Sequence, residues 1–313
     1  MTADESPLDN QDTADEAGHL PVLPTEVMQV LELRPGMTVL DCTVGRGGHA
    51  QMIVPKLYPD GKYIGLDLDE ANLDYTRSRL SDAPIEVILA HCNFTDAKLA
   101  FKQLEIDRVD AILADFGFAS TQVDDPHRGF SFKNEGPLDM RLDLSAPTTA
   151  ATLISSLPED ALANVIYKYG EERLSRRIAR KIVAQRQISP ISTTTELADL
   201  VRQCYPPQHR RTSRIDPATR TFMALRIAVN GELDAIESLL SQLPQLAAPN
   251  ATAAMISFHS LEDRLVKQAF NELEKSKRAR RLTRKPIIAS DAERDSNPRS
   301  RSAKLRALRF EDR

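Results

Sequence analysis

Val39-Leu40-Asp41-Cys42-Thr43-Val44-Gly45-Arg46-Gly47-Gly48-His49 carries an apolar segment into an acid and then into a glycine-rich turn that opens a helical pattern. Strand, tight turn and helix in that order make a cofactor cradle. Glycines accept positive φ and let the backbone approach a ligand, and the first N–H groups of the helix carry partial positive charge. By spacing, Gly45, Gly47 and Ala50 also satisfy the dinucleotide pattern G-x-G-x-x-G/A, with Asp67 about 20 residues further on. A carboxylate at Asp41, just ahead of the turn, repels a pyrophosphate and suits a cationic ligand. S-adenosylmethionine, which has an ammonium and a sulfonium but no phosphate, is therefore the expected cofactor. Asp67, ending the apolar run Tyr63-Ile64-Gly65-Leu66, is the expected acceptor for ribose hydroxyls.

The 313 residues suffice for one large domain or two, and no apolar run reaches membrane-spanning length, so a soluble globular chain is expected. Residues 1–18 hold Asp4, Glu5, Asp9, Asp12, Asp15 and Glu16 and no Lys or Arg, which reads as a disordered acidic tail rather than a secretory or transit segment. Cys42, Cys92 and Cys204 lie far apart without a C-x-x-C pair, so neither a disulfide framework nor a zinc site is expected; a reducing cytoplasm is. Net charge is only −4 but it is segregated. From Lys275 to Arg313, 14 Lys+Arg face 5 Asp+Glu, and two further basic patches occur at Arg173, Arg176, Arg177, Arg180, Lys181 and at Arg210, Arg211, Arg214. Three such patches in a chain that is acidic elsewhere favour a polyanionic partner.

Apolar strands alternate with helical patterns at 38–44, 63–66, 85–90 and 109–114, the rhythm of a parallel sheet covered on both faces. After Asp115 the rhythm stops. A Gly/Pro/Asp-rich stretch runs to Leu142, then helical patterns cover 158–169, 171–186, 194–204 and 217–240; a strand returns at 253–258, and 282–288 offers an antiparallel partner for 304–310. The expected organisation is an α/β, Rossmann-like doubly wound domain formed by 19–130 and 218–313, interrupted by a helical insert at 131–217. In open α/β sheets ligands bind beyond the carboxyl ends of the strands, so Asp41, Asp67, Phe94, Asp115 and Ser257-Phe258-His259 are expected to converge, with Asp115 nearest the chemistry. Phe116 or Phe118 is a candidate to stack on a substrate ring, and His259 to orient substrate.

The blocks His19-Leu20-Pro21-Val22-Leu23, Gly45-Arg46-Gly47-Gly48-His49, Arg128-Gly129-Phe130-Ser131-Phe132, Gly136-Pro137-Leu138-Asp139-Met140-Arg141, Tyr169-Gly170-Glu171-Glu172-Arg173, Pro217-Ala218-Thr219-Arg220-Thr221-Phe222, Ser257-Phe258-His259-Ser260-Leu261-Glu262-Asp263-Arg264 and Asn297-Pro298-Arg299-Ser300-Arg301-Ser302-Ala303-Lys304-Leu305-Arg306 follow one another in order. Together they resemble the signature of the bacterial 16S rRNA cytosine-N4 methyltransferase H family (RsmH, also called MraW), over essentially everything from His19 onward. The resemblance implies a class I S-adenosylmethionine-dependent methyltransferase with a helical substrate-recognition insert. It also implies N4-methylation of the decoding-site cytosine conventionally numbered 1402, with 16S rRNA in the small ribosomal subunit as partner and no metal. The family's cofactor contacts fall on Gly47, Gly48, His49, Asp67, Phe94, Asp115 and Gln122, and Asp115 is the catalytic candidate, a carboxylate aimed at the reacting amine.

Three departures from the family pattern stand out. Asp115-Phe116-Gly117-Phe118-Ala119-Ser120 replaces the usual Asp-Leu-Gly-Val-Ser-Ser, Asp216 replaces a His before Pro-Ala-Thr-Arg, and Pro249-Asn250-Ala251 replaces Pro-Gly-Gly. Two rival functions remain at this point: a noncatalytic RNA-binding or ribosome-assembly protein on the same fold, and an NAD-dependent dehydrogenase using the same glycine loop. Oligomeric state is not legible.

Overall fold

A computed structural model describes residues 20–117, 125–208 and 215–312. Its strands are β1 (Thr38–Asp41), β2 (Lys62–Asp67), β3 (Glu86–His91), β4 (Val109–Asp115), β5 (Ala247–Ser257), β6 (Ala279–Arg281) and β7 (Lys304–Phe310). They form one seven-stranded sheet in the order β3-β2-β1-β4-β5-β7-β6. β1 to β5 pair in parallel, and β7 runs antiparallel to both its neighbours. The sheet-flanking helices before β5 are α1 (Pro24–Leu31), α2 (Ala50–Ile53), α3 (Glu70–Arg79) and α4 (Ala97–Gln103). Between β4 and β5 come α5 (Ala150–Ser156), α6 (Glu159–Gly170), α7 (Ser175–Ile188), α8 (Thr194–Arg202), α9 (Thr219–Asn230) and α10 (Glu232–Leu246); α11 (Ser260–Lys275) and α12 (Asp291–Ser296) follow β5. Among the described residues no helix is long and apolar enough to cross a membrane.

Side chains alternate across a strand, and here both faces are covered. Val39, Tyr63, Ala111, Leu113, Ala254 and Ile256 pack with Leu31, Ile53 and Leu73 of α1, α2 and α3. Leu40, Ile64, Ile112, Ala114, Ala253 and Met255 pack with Phe101, Leu239 and Phe270 of α4, α10 and α11. A third cluster, separate from the sheet, joins Leu138, Ile154, Leu162, Ile166, Ile178, Ile182, Leu197 and Val201. Thr149 and Thr193 open α5 and α8 with capping boxes, satisfying N-terminal N–H groups that the helices leave unpaired. Phe222 and Leu225 of α9 belong to this third cluster, and the Phe222 ring meets Phe132 edge-on at 4.7 Å. The helix that the sequence division assigned to the sheet side of residue 217 thus packs with the helices of the insert.

Three local expectations changed. The helical pattern over 217–240 is two helices, because Gly231 at φ 61° ends α9 in the left-handed conformation and starts α10. β5 begins at Ala247 rather than 253: Asn250 at φ 63° forms an irregularity that steps the register from Val109↔Ala247 to Ala111↔Thr252. The ladder on the outer edge of β7 is made with Ala279–Arg281, and 282–288 adds bonds from the Leu282 and Thr283 N–H groups to the Ala307 carbonyl, one from the Ala307 N–H to the Thr283 hydroxyl, and a bridge at Ile287↔Leu305. Pro286, lacking an N–H, interrupts that segment as a strand.

At the centre of the sheet, Asp41 shares a face with Val39 and is 1% exposed. One carboxylate oxygen accepts the Thr43 N–H at 3.0 Å and the other accepts the Tyr63 hydroxyl at 2.7 Å. Burial pushes the Asp41 carboxyl from 3.8 to about 6, outweighing the hydrogen bonds from Tyr63 and Thr43 and the nearby His49, which pull it down.

Two stability tests follow from this packing. Between about pH 4 and pH 6 folded Asp41 keeps a proton that the unfolded chain has released, so its contribution falls as pH rises and the cost is complete above about 6. At ~1.4 kcal/mol per unit that cost is about 3 kcal/mol. Urea midpoints of Asp41→Asn relative to the parent should therefore rise across this window and stay level above it. Phe222→Ala should cost about 3 to 5 kcal/mol, with hydrogen exchange rising in α5 to α9 before the sheet.

Candidate functional site

The glycine turn takes its shape from positive φ at Gly45 (53°) and Gly47 (75°). A side chain at Gly47 would meet Thr76 of α3 at 3.0 Å, and the Thr76 hydroxyl donates to the Gly45 carbonyl at 2.9 Å. The Gly45 N–H in turn donates to Asp67 at 2.8 Å, and Asp67 also accepts from the Asp69 N–H (2.8 Å) and the Asn72 amide (3.3 Å). Three of the four or so lone-pair directions of the carboxylate are thereby used, and the rest are left for a ligand hydroxyl. Asp67 is half-buried, and desolvation holds its carboxyl above the usual range despite those donors.

Across the turn, β4 ends at Asp115, whose side chain is 17% exposed. Its backbone N–H donates to the Thr43 hydroxyl at 2.7 Å, and one carboxylate oxygen accepts the Gly117 N–H at 3.1 Å. The other lies 3.6 Å from Nε2 of His49, a side chain only 9% exposed. That nitrogen is buried and has no hydrogen-bond partner among the described residues. A side chain at Gly117 would strike the Phe258 ring at 2.8 Å, so the end of β5 presses against the end of β4. Phe94 and Phe116 stand 6.1 Å apart, ring to ring, with Phe94 half-buried.

Gly47, Gly48, His49, Asp67, Phe94 and Asp115 thus lie around the carboxyl ends of β1 to β4, whereas Gln122 and Phe118 fall outside the described residues, as does His19. Two expectations are corrected. Asp41 does not face a ligand: it lies under the turn with both oxygens engaged by the chain itself, so its charge acts only through its field. Phe116, offered for stacking, is 7% exposed and packs into the sheet's core. Phe258 was among the residues expected to converge here, whereas sequence reasoning missed Thr43 and Tyr63 as members of this region. Thr43 had the clearest signal, a hydroxyl two residues after Asp41 at the mouth of the turn.

A second polar cluster sits beyond β5. Glu232, His259 and Glu262 bring three potential ligand atoms within 4.8 Å of one another. His259 Nδ1 accepts the Glu262 N–H that it caps, so a neutral ring carries its proton on Nε2, 3.1 Å from the Glu262 carboxylate. Arg226 forks onto Glu232 at 2.9 and 3.0 Å. Burial holds the Glu232 carboxyl above its ordinary value against the pull of Arg226. Arg226 balances Glu232, while His259 Nε2 has no hydrogen-bond partner among the described residues. His259 is here a helix cap.

The basic patches are less uniform than the sequence suggests. In the tail, Arg281 pairs with Glu274, Arg294 with Asp291, Lys304 and Arg306 with Asp263, and Arg309 with Glu32. On α7, Arg176 and Arg180 are more than 70% exposed beside Asp160 and Glu159. Arg210, Arg211 and Arg214 lie outside the described residues.

Among known proteins, the chain is 44% identical over 306 residues to a protein of Syntrophotalea carbinolica, covering 93% of this chain and 97% of that one, and 46% identical over 291 residues to one of Sorangium cellulosum, covering 93% and 90%. Both relatives are named ribosomal RNA small subunit methyltransferase H. Among solved structures it aligns with an S-adenosylmethionine-dependent O-methyltransferase of Thermotoga maritima at a TM-score of 0.43 and 9% identity, over 96% of this chain and 70% of that one. The family model described as the MraW methylase family matches residues 16–311, and the chain belongs to that family.

Proposed function

We propose that this chain uses S-adenosylmethionine to methylate the N4 amine of a cytosine in the 16S rRNA of the small ribosomal subunit, the decoding-site cytosine that the family signature implies. The observation that carries the chemistry is Asp115: a partly exposed carboxylate at the end of β4, fixed by Thr43 and Gly117 and facing a buried histidine. Membership in the MraW methylase family and the shared name of its relatives support the reaction and the substrate.

The residues present fit the cofactor. The turn at Gly45 to Gly48 takes positive φ at Gly45 and Gly47 beside the ends of β1 and β2, and Asp67 retains acceptor capacity for ribose. When bound, S-adenosylmethionine supplies an electrophilic methyl group on a sulfonium. The exocyclic nitrogen of cytosine is a weak nucleophile because its lone pair is delocalised into the ring. Asp115 offsets this by accepting a hydrogen bond from the amine, which holds the amine in line, favours the positive charge that develops on it, and gives its proton a destination. The Gly117 N–H keeps that carboxylate from turning away, and the Thr43 hydroxyl, accepting the Asp115 N–H, holds the backbone beneath it.

The helices α5 to α9 and the segment leading into them form the proposed substrate-recognition unit, extending to Gly231, where α9 ends. The exposed arginines of α7 supply counter-charge for phosphates. An rRNA substrate places the activity in the cytoplasm.

Asp67→Ala should weaken S-adenosylmethionine binding by about 1.5 to 3 kcal/mol, the worth of a charged hydrogen bond. Calorimetry on the apo protein reads this directly, and unchanged affinity removes Asp67 from the cofactor site. Asp115→Asn should preserve the fold and much of the cofactor affinity while slowing single-turnover methyl transfer about 10² to 10³-fold. Mass spectrometry of the product nucleoside decides the rest: a C5-methylated cytosine overturns the proposed reaction.

A further inference from the structure

We propose that His49 is the proton-relay partner of Asp115: the carboxylate takes the proton from cytosine N4 and passes it to His49 Nε2. This rests on the reading of Asp115 above. Sequence resemblance placed His49 among cofactor contacts; its geometry points to a further role.

The His49 side chain is more than nine-tenths buried, and its Nε2 is among the few buried side-chain nitrogens with no hydrogen-bond partner in the described residues. An unpaired buried nitrogen is costly unless something in the working cycle uses it. The group it faces is the Asp115 carboxylate oxygen, at 3.6 Å, on the side opposite the oxygen that accepts the Gly117 N–H. That separation is too long for a hydrogen bond and too short for an intervening water, so a modest closure brings the two into direct contact. Such contacts are often long before substrate binds.

The titratable groups facing the ring are Asp115 from the end of β4 and Asp41 from the end of β1; Tyr63 on β2 reaches it only through its bond to Asp41. Asp41 has both oxygens engaged by the Tyr63 hydroxyl and the Thr43 N–H, which leaves Asp115 as the carboxylate that can exchange a proton with the ring.

In the reaction the bond from N4 to the methyl carbon forms as the bond from that carbon to sulfur breaks, with the electron pair returning to sulfur. An N4–H bond then breaks with its electrons kept by nitrogen. The proton moves to Asp115 and on to His49, leaving neutral methylated cytosine, an ionised Asp115 and an imidazolium flanked by two carboxylates. Asp115 would otherwise stay protonated beside the product.

The test combines three measurements on the full chain with small-subunit particles as substrate. His49→Gln and His49→Asn keep polar groups but cannot hold the proton. At neutral pH each should slow single-turnover transfer at saturating S-adenosylmethionine by about 10-fold to 10²-fold, with cofactor affinity by calorimetry changed less than about threefold. The deficit should shrink as pH is raised, because solvent base then takes the proton. Combining His49→Gln with Asp115→Asn should be no slower than Asp115→Asn alone, since the two act in series. Without substrate or cofactor, the nitrogen-15 resonance of His49 Nε2, which reports whether that atom carries a proton, should shift in Asp115→Asn. Parent-like rates in both His49 variants, a loss matched by weakened cofactor binding, multiplicative losses in the double variant, or an unmoved Nε2 resonance would each overturn the relay. If Asp115→Asn itself methylates at the parent rate, the reading of Asp115 fails first; if only the His49 variants are silent, that reading stands and the relay does not.

Discussion

A buried carboxylate organises the ends of the central strands. Asp41 has no access to solvent and must find donors inside the chain, because an unpaired ion in that position costs several kcal/mol. The Tyr63 hydroxyl and the Thr43 N–H meet this demand, and each has a second consequence. Tyr63 ties β1 to β2 on the face beneath α2. Thr43, drawn back over Asp41, has its hydroxyl in position to receive the Asp115 N–H, so the end of β4 is set by the same turn. The glycine loop is then pinned from the other side by Asp67 and Thr76. The site is rigid because one misplaced charge would be expensive.

The insert is not simply tethered to this sheet by two chain connections. Arg128 approaches Asp69 beside the Asp67 turn at 3.6 Å and donates to the carbonyls of Arg141 and Leu142. Asn230 near the insert's exit donates to the Met140 carbonyl and accepts the Leu142 N–H. At the other side Glu171 takes bonds from Ser260 and Arg264 on α11, and Arg226 forks onto Glu232 as α10 begins. Polar links of this kind fix orientation while costing little to rearrange when exposed, unlike the apolar cluster that holds the insert's own helices together. The insert and the strand ends are therefore joined through a few named contacts.

How much of this was legible beforehand follows the range of each interaction. The short apolar runs of β1, β2 and β4 and the helical period of α6 to α8 are local, and the sequence displays them directly. Gly231 was visible too, but a continuous apolar stripe through 217–240 masked its left-handed conformation. Asp41 was the instructive failure. Its electrostatic sign suited a cationic ligand, yet whether a strand-terminal acid faces the cleft or the sheet depends on which face its register gives it, and on a tyrosine 22 residues away. The trio Glu232, His259 and Glu262 was equally hidden, since its members come from different elements. Charge counting overstated the tail, because Asp263 and Glu32, distant in sequence, absorb Lys304, Arg306 and Arg309.

The three departures from the family pattern acquire a physical explanation from where they fall. Phe116, in place of a leucine, points into the sheet's core beside Phe94, so the larger ring fills packing space rather than reshaping the face of Asp115. Asp216, in place of a histidine, receives the Arg202 guanidinium at 2.9 to 3.4 Å and accepts the Ala218 N–H at 2.8 Å, which makes it an internal brace of the insert. Pro249-Asn250-Ala251 forms the irregularity at the start of β5, and because β5 runs parallel to β4 this is the end of the strand opposite Ser257 and the site. The changes at Phe116, Asp216 and Asn250 are absorbed by packing, by an ion pair and by a bulge, while Phe118 and Ala119 lie outside the described residues. Asp115 itself is held by contacts other than the ones these residues make: its N–H donates to the Thr43 hydroxyl, and its carboxylate accepts the Gly117 N–H and faces His49.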